Sequence, residues 1–305
     1  MGGLLSMVVF LSSCSKMIVL DSKGPIGQEE TFLIYISFAL MLIVVIPVFV
    51  MAFWFAVRYR DTNEKATYKP KWAHSTKIEW VIWMVPIAII VALSYLTWTR
   101  TYQLDPYKPI QSEAKTFHVE VVSMDWNWLF IYPEYHIATV NELVFPANTP
   151  LSFRLTSASV MTSFFIPQLG SQMYAMAGMQ TRLNLMANEP GVYEGHNLEF
   201  SGKGYNTMHF EAIAKTPEEF KEWLEKAKKS PDTLSMAMFK KISEPNINYP
   251  ETVYSSVVPG LFDHILSRFM GWMGTHKKMK MDMHMPLNHA NDSTRHMNHK
   301  NMEDK

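Results

Sequence analysis

The side chains that could do redox or metal chemistry are few in this chain of 305 residues, and they are unevenly placed. The one cysteine, Cys14, allows neither an internal disulfide nor a cysteine metal cluster within the chain. Residues 276–305 are rich in histidine and methionine, whose imidazole and thioether groups could bind copper. No regular ligand spacing joins them, which favours a solvated tail over a metal site. The histidines of this tail are His276, His284, His289, His296 and His299.

Two apolar runs must anchor whatever chemistry the chain performs. Residues 31–57 carry no charge, and residues 79–99 are almost as apolar. About 20 such residues cross the hydrocarbon of a bilayer as a helix, so both are predicted to be transmembrane helices. The intervening loop, 58–78, is rich in lysine and arginine, which predicts a cytoplasmic loop and an opposite location for everything after Arg100.

The pattern changes to a period of two after a turn-rich linker, 100–115. Phe117, Val119 and Val121 alternate with polar residues, and similar short runs follow between turns rich in Pro and Gly. Many short strands at this spacing predict a sandwich or a Greek-key barrel over residues 116–215.

Helices are predicted to follow in an extension that covers residues 216–275. Thr216 precedes a proline and lies three residues before Glu219, which is the pattern of a capped helix start. The apolar spacing predicts helices from Pro217 to Lys229, from Asp232 to Ile242 and from Val258 to Met273.

The composition excludes several classes of protein. With 48% hydrophobic residues, 18% charged residues and a formal net charge of zero, the chain gives no support for nucleic-acid binding. It contains no haem-attachment CxxCH, dinucleotide fingerprint, phosphate-binding loop or nucleophile signature.

The N-terminus resembles that of a bacterial lipoprotein. Leu11-Ser12-Ser13-Cys14 follows an apolar run and resembles a lipobox, although no basic residue precedes the run. The resemblance implies a signal peptide over residues 1–13, acylation of Cys14 and an extracytoplasmic segment over residues 14–30. The alternative is an unprocessed apolar N-terminus with a buried free cysteine.

The segment from Ser159 to Met208 resembles the copper-binding face of subunit II of the haem-copper oxidases. Its most specific stretch reads SFFIPQLGSQMYAMAGMQTRLNLMANEPGVYEG. Copper-bearing members of that family use two cysteines, two histidines, a methionine and a backbone carbonyl. The resemblance places non-ligating types at most of those positions, because Asn and Ser replace the cysteines and Thr and Tyr replace the histidines. The matched positions are Thr162, Asn197, Glu199 (the carbonyl), Ser201, Tyr205 and Met208.

With those ligands lost, the chain resembles the subunit II family of cytochrome bo3-type ubiquinol oxidases. The resemblance implies a two-helix transmembrane hairpin, then a cupredoxin-like Greek-key β-sandwich in the periplasm, then C-terminal helices. It implies a bacterial inner-membrane complex with subunits I, III and IV. Subunit I would hold the haems and one copper, oxidise ubiquinol, reduce oxygen to water and pump protons, whereas subunit II would hold no cofactor.

Two further roles depend on the same resemblance. Glu79, at the cytoplasmic edge of the second span, corresponds to a glutamate at the mouth of a proton-input path into subunit I. Spacing alone would favour an interfacial carboxylate that snorkels or pairs with a neighbour. Trp126 and Trp128 match the aromatic cluster that receives an electron in copper-bearing members. Without copper they are predicted to be packing residues.

Two other functions remain open from the sequence. A redox-active cytochrome c oxidase subunit II would require cysteine at positions 197 and 201, which this chain lacks, so that alternative stays open only with a degenerate site. A copper-handling membrane lipoprotein would use the tail of histidine and methionine, and it would need neither two spanning helices nor Glu79.

Overall fold

The computed structural model describes residues 17–63 and 72–269. Two long apolar helices come first: α1, Pro25–Arg58, and α2, Thr76–Gln103. Both are long and apolar enough to cross a membrane. Each helix extends beyond the predicted span at both ends, because hydropathy marks only the part suited to lipid. Backbone hydrogen bonding continues through polar residues at either end. At its start, α1 has Gly24 as N-cap and Pro25 at the first position, where a missing N–H costs nothing.

The two helices are joined at their outer ends by an ion pair. Nη1 of Arg100 on α2 lies 2.6 Å from Oε2 of Glu29 on α1. Most of their apolar side chains are exposed along the rest of the hairpin; the Phe53 side chain, for example, is 72% exposed. These surfaces suit lipid or other helices rather than water.

The domain that follows α2 contains two facing β-sheets. One has the strand order β11-β3-β2-β1-β5-β8, and the other has the order β4-β10-β9-β6-β7. Most neighbours are antiparallel, but β1 pairs with β5, and β4 with β10, in parallel. The strands are β1 Phe117–Ser123, β2 Trp128–Tyr132, β3 Ile137–Val140, β4 Glu142–Pro146, β5 Leu151–Ser157, β6 Thr162–Ile166, β7 Gly170–Ala175, β8 Thr181–Leu185, β9 Gly191–His196, β10 His209–Lys215 and β11 Thr252–Tyr254.

The core between the sheets is rich in aromatic rings. The apolar residues of β1 face the core, as their alternation predicts, and Val119 and Val121 are fully buried. Phe164 of β6 and Phe210 of β10 stack with centroids 5.0 Å apart, and Trp128 packs edge-on against both rings. Such ring pairs stabilise beyond the area that they bury.

The C-terminal part contains α3, Pro217–Ala227, α4, Met236–Ile242, and α5, residues 261–269. α3 packs on the core between the sheets, next to β4 and β10, whereas α4 and α5 cover the outer face of the larger sheet. A second apolar cluster joins this region to side chains of β2 and β3. Residues of those two strands are therefore buried on both faces. The members include Leu129, Ile131, Val140, Phe239, Ile242, Leu261 and Phe262.

The helix limits in this region differ from the predicted ones by a few residues. The capping box at α3 is present, with Thr216 accepting from the Glu219 backbone and Glu219 accepting from that of Thr216. The helix predicted from Asp232 begins only at Met236, because Ser235 is its N-cap and accepts from the Met238 backbone N–H. Of the third predicted helix, the end near Met273 lies outside the described residues.

Glycines join α1 to the turn between β6 and β7. The backbone N–H of Gly27 donates to the carbonyl of Leu169 at 3.1 Å. A Cβ at Gly24 would lie 2.4 Å from the Met186 carbonyl oxygen, and one at Gly170 would lie 2.7 Å from the Ile26 side chain. The first turn of α1 therefore rests directly on the backbone of the β-domain.

Candidate functional site

The candidate site lies where β6 begins, where β9 ends and where β10 begins. The chain leaves β9 at His196 and crosses a loop to a short 3-10 helix, Tyr205–Thr207. It then enters β10 at His209. This loop, with the first residues of β6, carries the six positions matched to copper ligands, and we call it the cradle.

The side-chain amide of Asn197 occupies the centre of the cradle. Its Oδ1 accepts from the backbone N–H of Ser163 at 2.9 Å and from that of Glu199 at 3.0 Å. Its Nδ2 lies 2.9 Å from the Glu199 carbonyl oxygen, 3.1 Å from Oγ of Ser201 and 3.4 Å from Sδ of Met208. Four of the six predicted positions therefore meet through one buried amide.

The two positions matched to histidine are separate from that network. Thr162 is fully buried, and its hydroxyl donates to Oγ of Ser123 on β1 at 2.7 Å. Tyr205 lies at the rim, with its hydroxyl 3.5 Å from the Leu198 carbonyl oxygen and its ring against Phe200. Neither side chain is hydrogen-bonded to Asn197.

Trp126 closes one side of the cradle, a role that the sequence did not indicate. Its Nε1 donates to the Ser201 carbonyl at 2.9 Å, and its ring lies so close to Gly204 that a Cβ there would be 2.4 Å away. Trp126 itself has a φ of 72°, which is rare for a bulky residue. Trp128, in contrast, is buried between the sheets. The predicted packing role therefore suits both tryptophans, in different places.

The donors in the cradle do not fit a binuclear copper site. Such copper requires thiolate and imidazole ligands, but the groups here are an amide, two hydroxyls, a phenol and one thioether. The polar atoms of Asn197 are already satisfied by protein groups, so no ligand is left unpartnered at the centre. Within residues 17–63 and 72–269, no group of three or more His, Cys, Asp or Glu side chains is arranged to hold a metal ion.

Exposed apolar side chains surround the mouth of the cradle. Phe200 is 80% exposed, although it is held against Tyr205, and Leu198 is also exposed. The loop before β6 adds Val160 and Met161, which directly precede Thr162. A soluble surface rarely keeps so many large apolar groups together, so this rim suits a protein contact.

Glu79 lies far from the cradle, in the first turn of α2. Its Oε1 accepts from the backbone N–H of Ser75 at 3.1 Å, and its side chain is exposed. The β-domain follows the other end of α2, about 36 Å away along the helix at 1.5 Å per residue. Cys14 and the tail 276–305 lie outside the described residues.

The fold and the cradle define a subunit II of the haem-copper oxidase type. The family described as "Cytochrome C oxidase subunit II, periplasmic domain" matches residues 90–214, and "COX Aromatic Rich Motif" matches residues 228–273. The cytochrome bo(3) ubiquinol oxidase subunit 2 of Pseudomonas aeruginosa is 50% identical over 265 residues, 87% of this chain and 80% of that protein. The ubiquinol oxidase subunit 2 of Acetobacter aceti is 48% identical over 90% of this chain and 89% of its own length. The chain belongs to the family of ubiquinol oxidase subunits 2.

A solved structure is similar to part of the chain. The periplasmic domain of cytochrome oxidase subunit II from Bradyrhizobium japonicum is 24% identical, with a TM-score of 0.37, and covers 39% of this chain and 98% of its own.

The predicted fold class and family are confirmed by the family match and by the relatives. Two apolar helices precede a β-sandwich of the subunit II periplasmic type, and helices follow it. The same features fit a protein of the inner membrane. Neither of the other two functions, a copper-handling lipoprotein or a cytochrome c oxidase subunit II, is favoured by the relatives.

Proposed function

We propose that this chain is the subunit II of a proton-pumping terminal ubiquinol oxidase and carries no redox centre of its own. Its partner subunit I would hold the haems and one copper, oxidise ubiquinol and reduce oxygen to water. The observation that carries the proposal is the Asn197 amide, which fills the centre of the cradle with hydrogen bonds. A quinol donor arrives through the lipid, so such a complex needs no copper relay on the periplasmic side.

Assembly is the remaining task for a subunit of this kind. The exposed apolar faces of α1 and α2 would pack against helices of subunit I, and the apolar rim of the cradle would contact its outer surface. We propose that subunits III and IV belong to the same complex, and this part of the proposal depends on the family alone. The lipid bilayer is the other partner.

Three parts of the chain at or near the membrane are given a role by this proposal: Glu79, the loop 58–78 and the N-terminal residues 1–14. Glu79, exposed in the first turn of α2, would collect protons at the cytoplasmic mouth of a path into subunit I. The loop 58–78 would face the cytoplasm. Residues 1–13 would be removed as a signal peptide, and Cys14 would carry acyl chains that add to membrane affinity.

Metal content and electron donor together test the proposal. The complex should be purified from its membrane, its metals assigned chain by chain, and its oxygen consumption measured with ubiquinol and with reduced cytochrome c. We expect oxygen consumption with ubiquinol but not with reduced cytochrome c, and we expect no copper bound in the cradle of this chain. A mixed-valence dicopper spectrum from this polypeptide, or turnover with cytochrome c, would overturn the proposal.

A further inference from the structure

The outer face of β9 and β10 carries two histidines opposite each other, with two glutamates beside them. His196 pairs with His209 across the strands, and Glu194 pairs with Glu211. Since side chains alternate along a strand, all four point away from the core, whereas Gly195 and Phe210 between them are buried. None of these four belongs to the cradle.

The register brings the two imidazoles close. The Asn197 N–H donates to the Met208 carbonyl at 3.2 Å, which makes the next pair, His196 and His209, one without hydrogen bonds between the two backbones. Opposite residues of that kind have Cα atoms about 4.5 Å apart and Cβ atoms about 5 Å apart. Two imidazole nitrogens can then reach one ion at the ~2 Å that zinc requires.

Carboxylates make the same face negative. Oε2 of Glu194 lies 3.6 Å from Nε2 of His196, and Glu211 lies next to Glu142 on the parallel strand β4. A cation bound to the histidines would relieve the repulsion among these groups.

We propose that His196 and His209 form a binding site for a divalent transition-metal ion such as Zn²⁺ or Cu²⁺, with Glu194 and Glu211 supplying oxygen ligands. Imidazole and carboxylate suit both ions, and Cu²⁺ should bind more tightly. The four side chains are not gathered around one point in the structure. His209, Glu194 and Glu211 are exposed and His196 is half-exposed, so rotation of side chains is enough to close the site. The site lies beside the cradle, because its four side chains line one cavity together with Asn197, Tyr205 and Met208. It does not depend on the proposed function.

Zinc titration of the purified complex against a competing chromophoric chelator tests the site. The comparison is between the natural chain, the double variant H196A/H209A, and the control H118A/H264A, which removes two exposed histidines elsewhere, one on β1 and one on α5. We expect the double variant to lose about one equivalent of zinc per chain and the control to lose none. The titration is then repeated with the same three chains truncated after Gly274, so that the histidines of the tail cannot compete for zinc.

Two further measurements keep the result interpretable. Each single variant, H196A or H209A, should weaken zinc binding by about tenfold or more. These single variants test the site even if the double variant is poorly folded. Cu²⁺ added to the truncated chain should give an electron paramagnetic resonance signal split by two nitrogens, and that splitting should vanish in H196A/H209A. Equal zinc binding by the natural chain and the double variant, or equal loss in the control, would overturn the proposal.

Discussion

Nδ2 of Asn197 lies 3.4 Å from the thioether sulfur of Met208, across the mouth of the β9–β10 pair. Met208 is the one side chain of the cradle that still matches a copper-ligand type, and the Asn197 amide contacts its sulfur. The contact shows how the cradle keeps its shape. One side chain of modest size makes the hydrogen bonds that hold the loop between β9 and β10 together and join it to β6.

Removing that amide should destabilise the β-domain. Asn197→Ala would leave the Ser163 and Glu199 N–H groups without their acceptor, and we expect a loss of about 2–3 kcal/mol in the free energy of unfolding. Urea unfolding of the purified complex, followed by tryptophan fluorescence, measures it. Asn206→Ala, at an exposed position of the same loop, is the control. Equal midpoints for the two variants would contradict the role given to Asn197.

Glu142 should make stability depend on pH. Burial raises the pKa of its carboxyl group, with Glu251 adding to the effect, so the folded state binds this proton more tightly than the unfolded state. Stability conferred by the proton is present at low pH and is lost as pH rises through the raised pKa. Glu142→Gln should therefore raise the urea midpoint at about pH 7 and have little effect at about pH 4.

The matched control for this experiment is Glu218→Gln, which neutralises an exposed carboxylate on α3. It should leave the pH dependence of the natural chain in place. The prediction is wrong if Glu142→Gln lowers the midpoint at neutral pH.

Glu79→Gln should slow proton-linked turnover without releasing the subunit. The carboxyl group lies exposed at the start of α2, where it can exchange protons with water, and an amide cannot. We expect ubiquinol turnover to fall by roughly tenfold in an assembled complex. Asp61→Asn, which removes an exposed carboxylate after α1, should leave turnover unchanged. Normal turnover in assembled Glu79→Gln would exclude the role in proton input.

Cys14→Ser should abolish acylation and leave both helices inserted. The apolar parts of α1 and α2 are each long enough to hold the chain in a bilayer without acyl chains. Mass spectrometry of the mature chain should lose the mass of the acyl groups, and carbonate extraction should leave the protein in the membrane fraction. Release of the variant by carbonate would show that the helices do not suffice.

Removing the tail after Gly274 should preserve ubiquinol turnover. The tail of histidine and methionine has no regular ligand spacing, so we expect it to be solvated and dispensable for oxidase chemistry. Oxygen consumption by the truncated and natural complexes should agree. A collapse of turnover with normal assembly would assign the tail a function.

Local signals in the sequence were sufficient for several elements. The uncharged run after Thr31 predicts α1, the alternation at Phe117 predicts β1, and Thr216 with Glu219 predicts the start of α3. Each of these depends on neighbours in the chain. The limits of α1 could not be predicted as well, because its first turn is fixed by contact with the distant turn at Leu169.

Other features depend on contacts that no local pattern reveals. β2 is buried along its whole length, so it shows no alternation, because the C-terminal helices cover its second face. The family pattern indicated which ligands are missing from the cradle, but not that Asn197 would satisfy the groups left behind. Likewise, only the folded chain shows that Trp126 packs on Gly204 or that His196 faces His209.

The glycine junction between α1 and the β-domain has a mechanical consequence. Gly24 and Gly27 bring the backbone of α1 against that of the β-domain, and at Gly170 the Ile26 side chain packs directly on the backbone, so little space is left between the two parts for movement. β6 and β7 then lead from this junction to Ser163, whose N–H is bonded to Asn197. A change in the tilt of α1 in the bilayer would therefore be transmitted through β6 and β7 to the loop of the cradle.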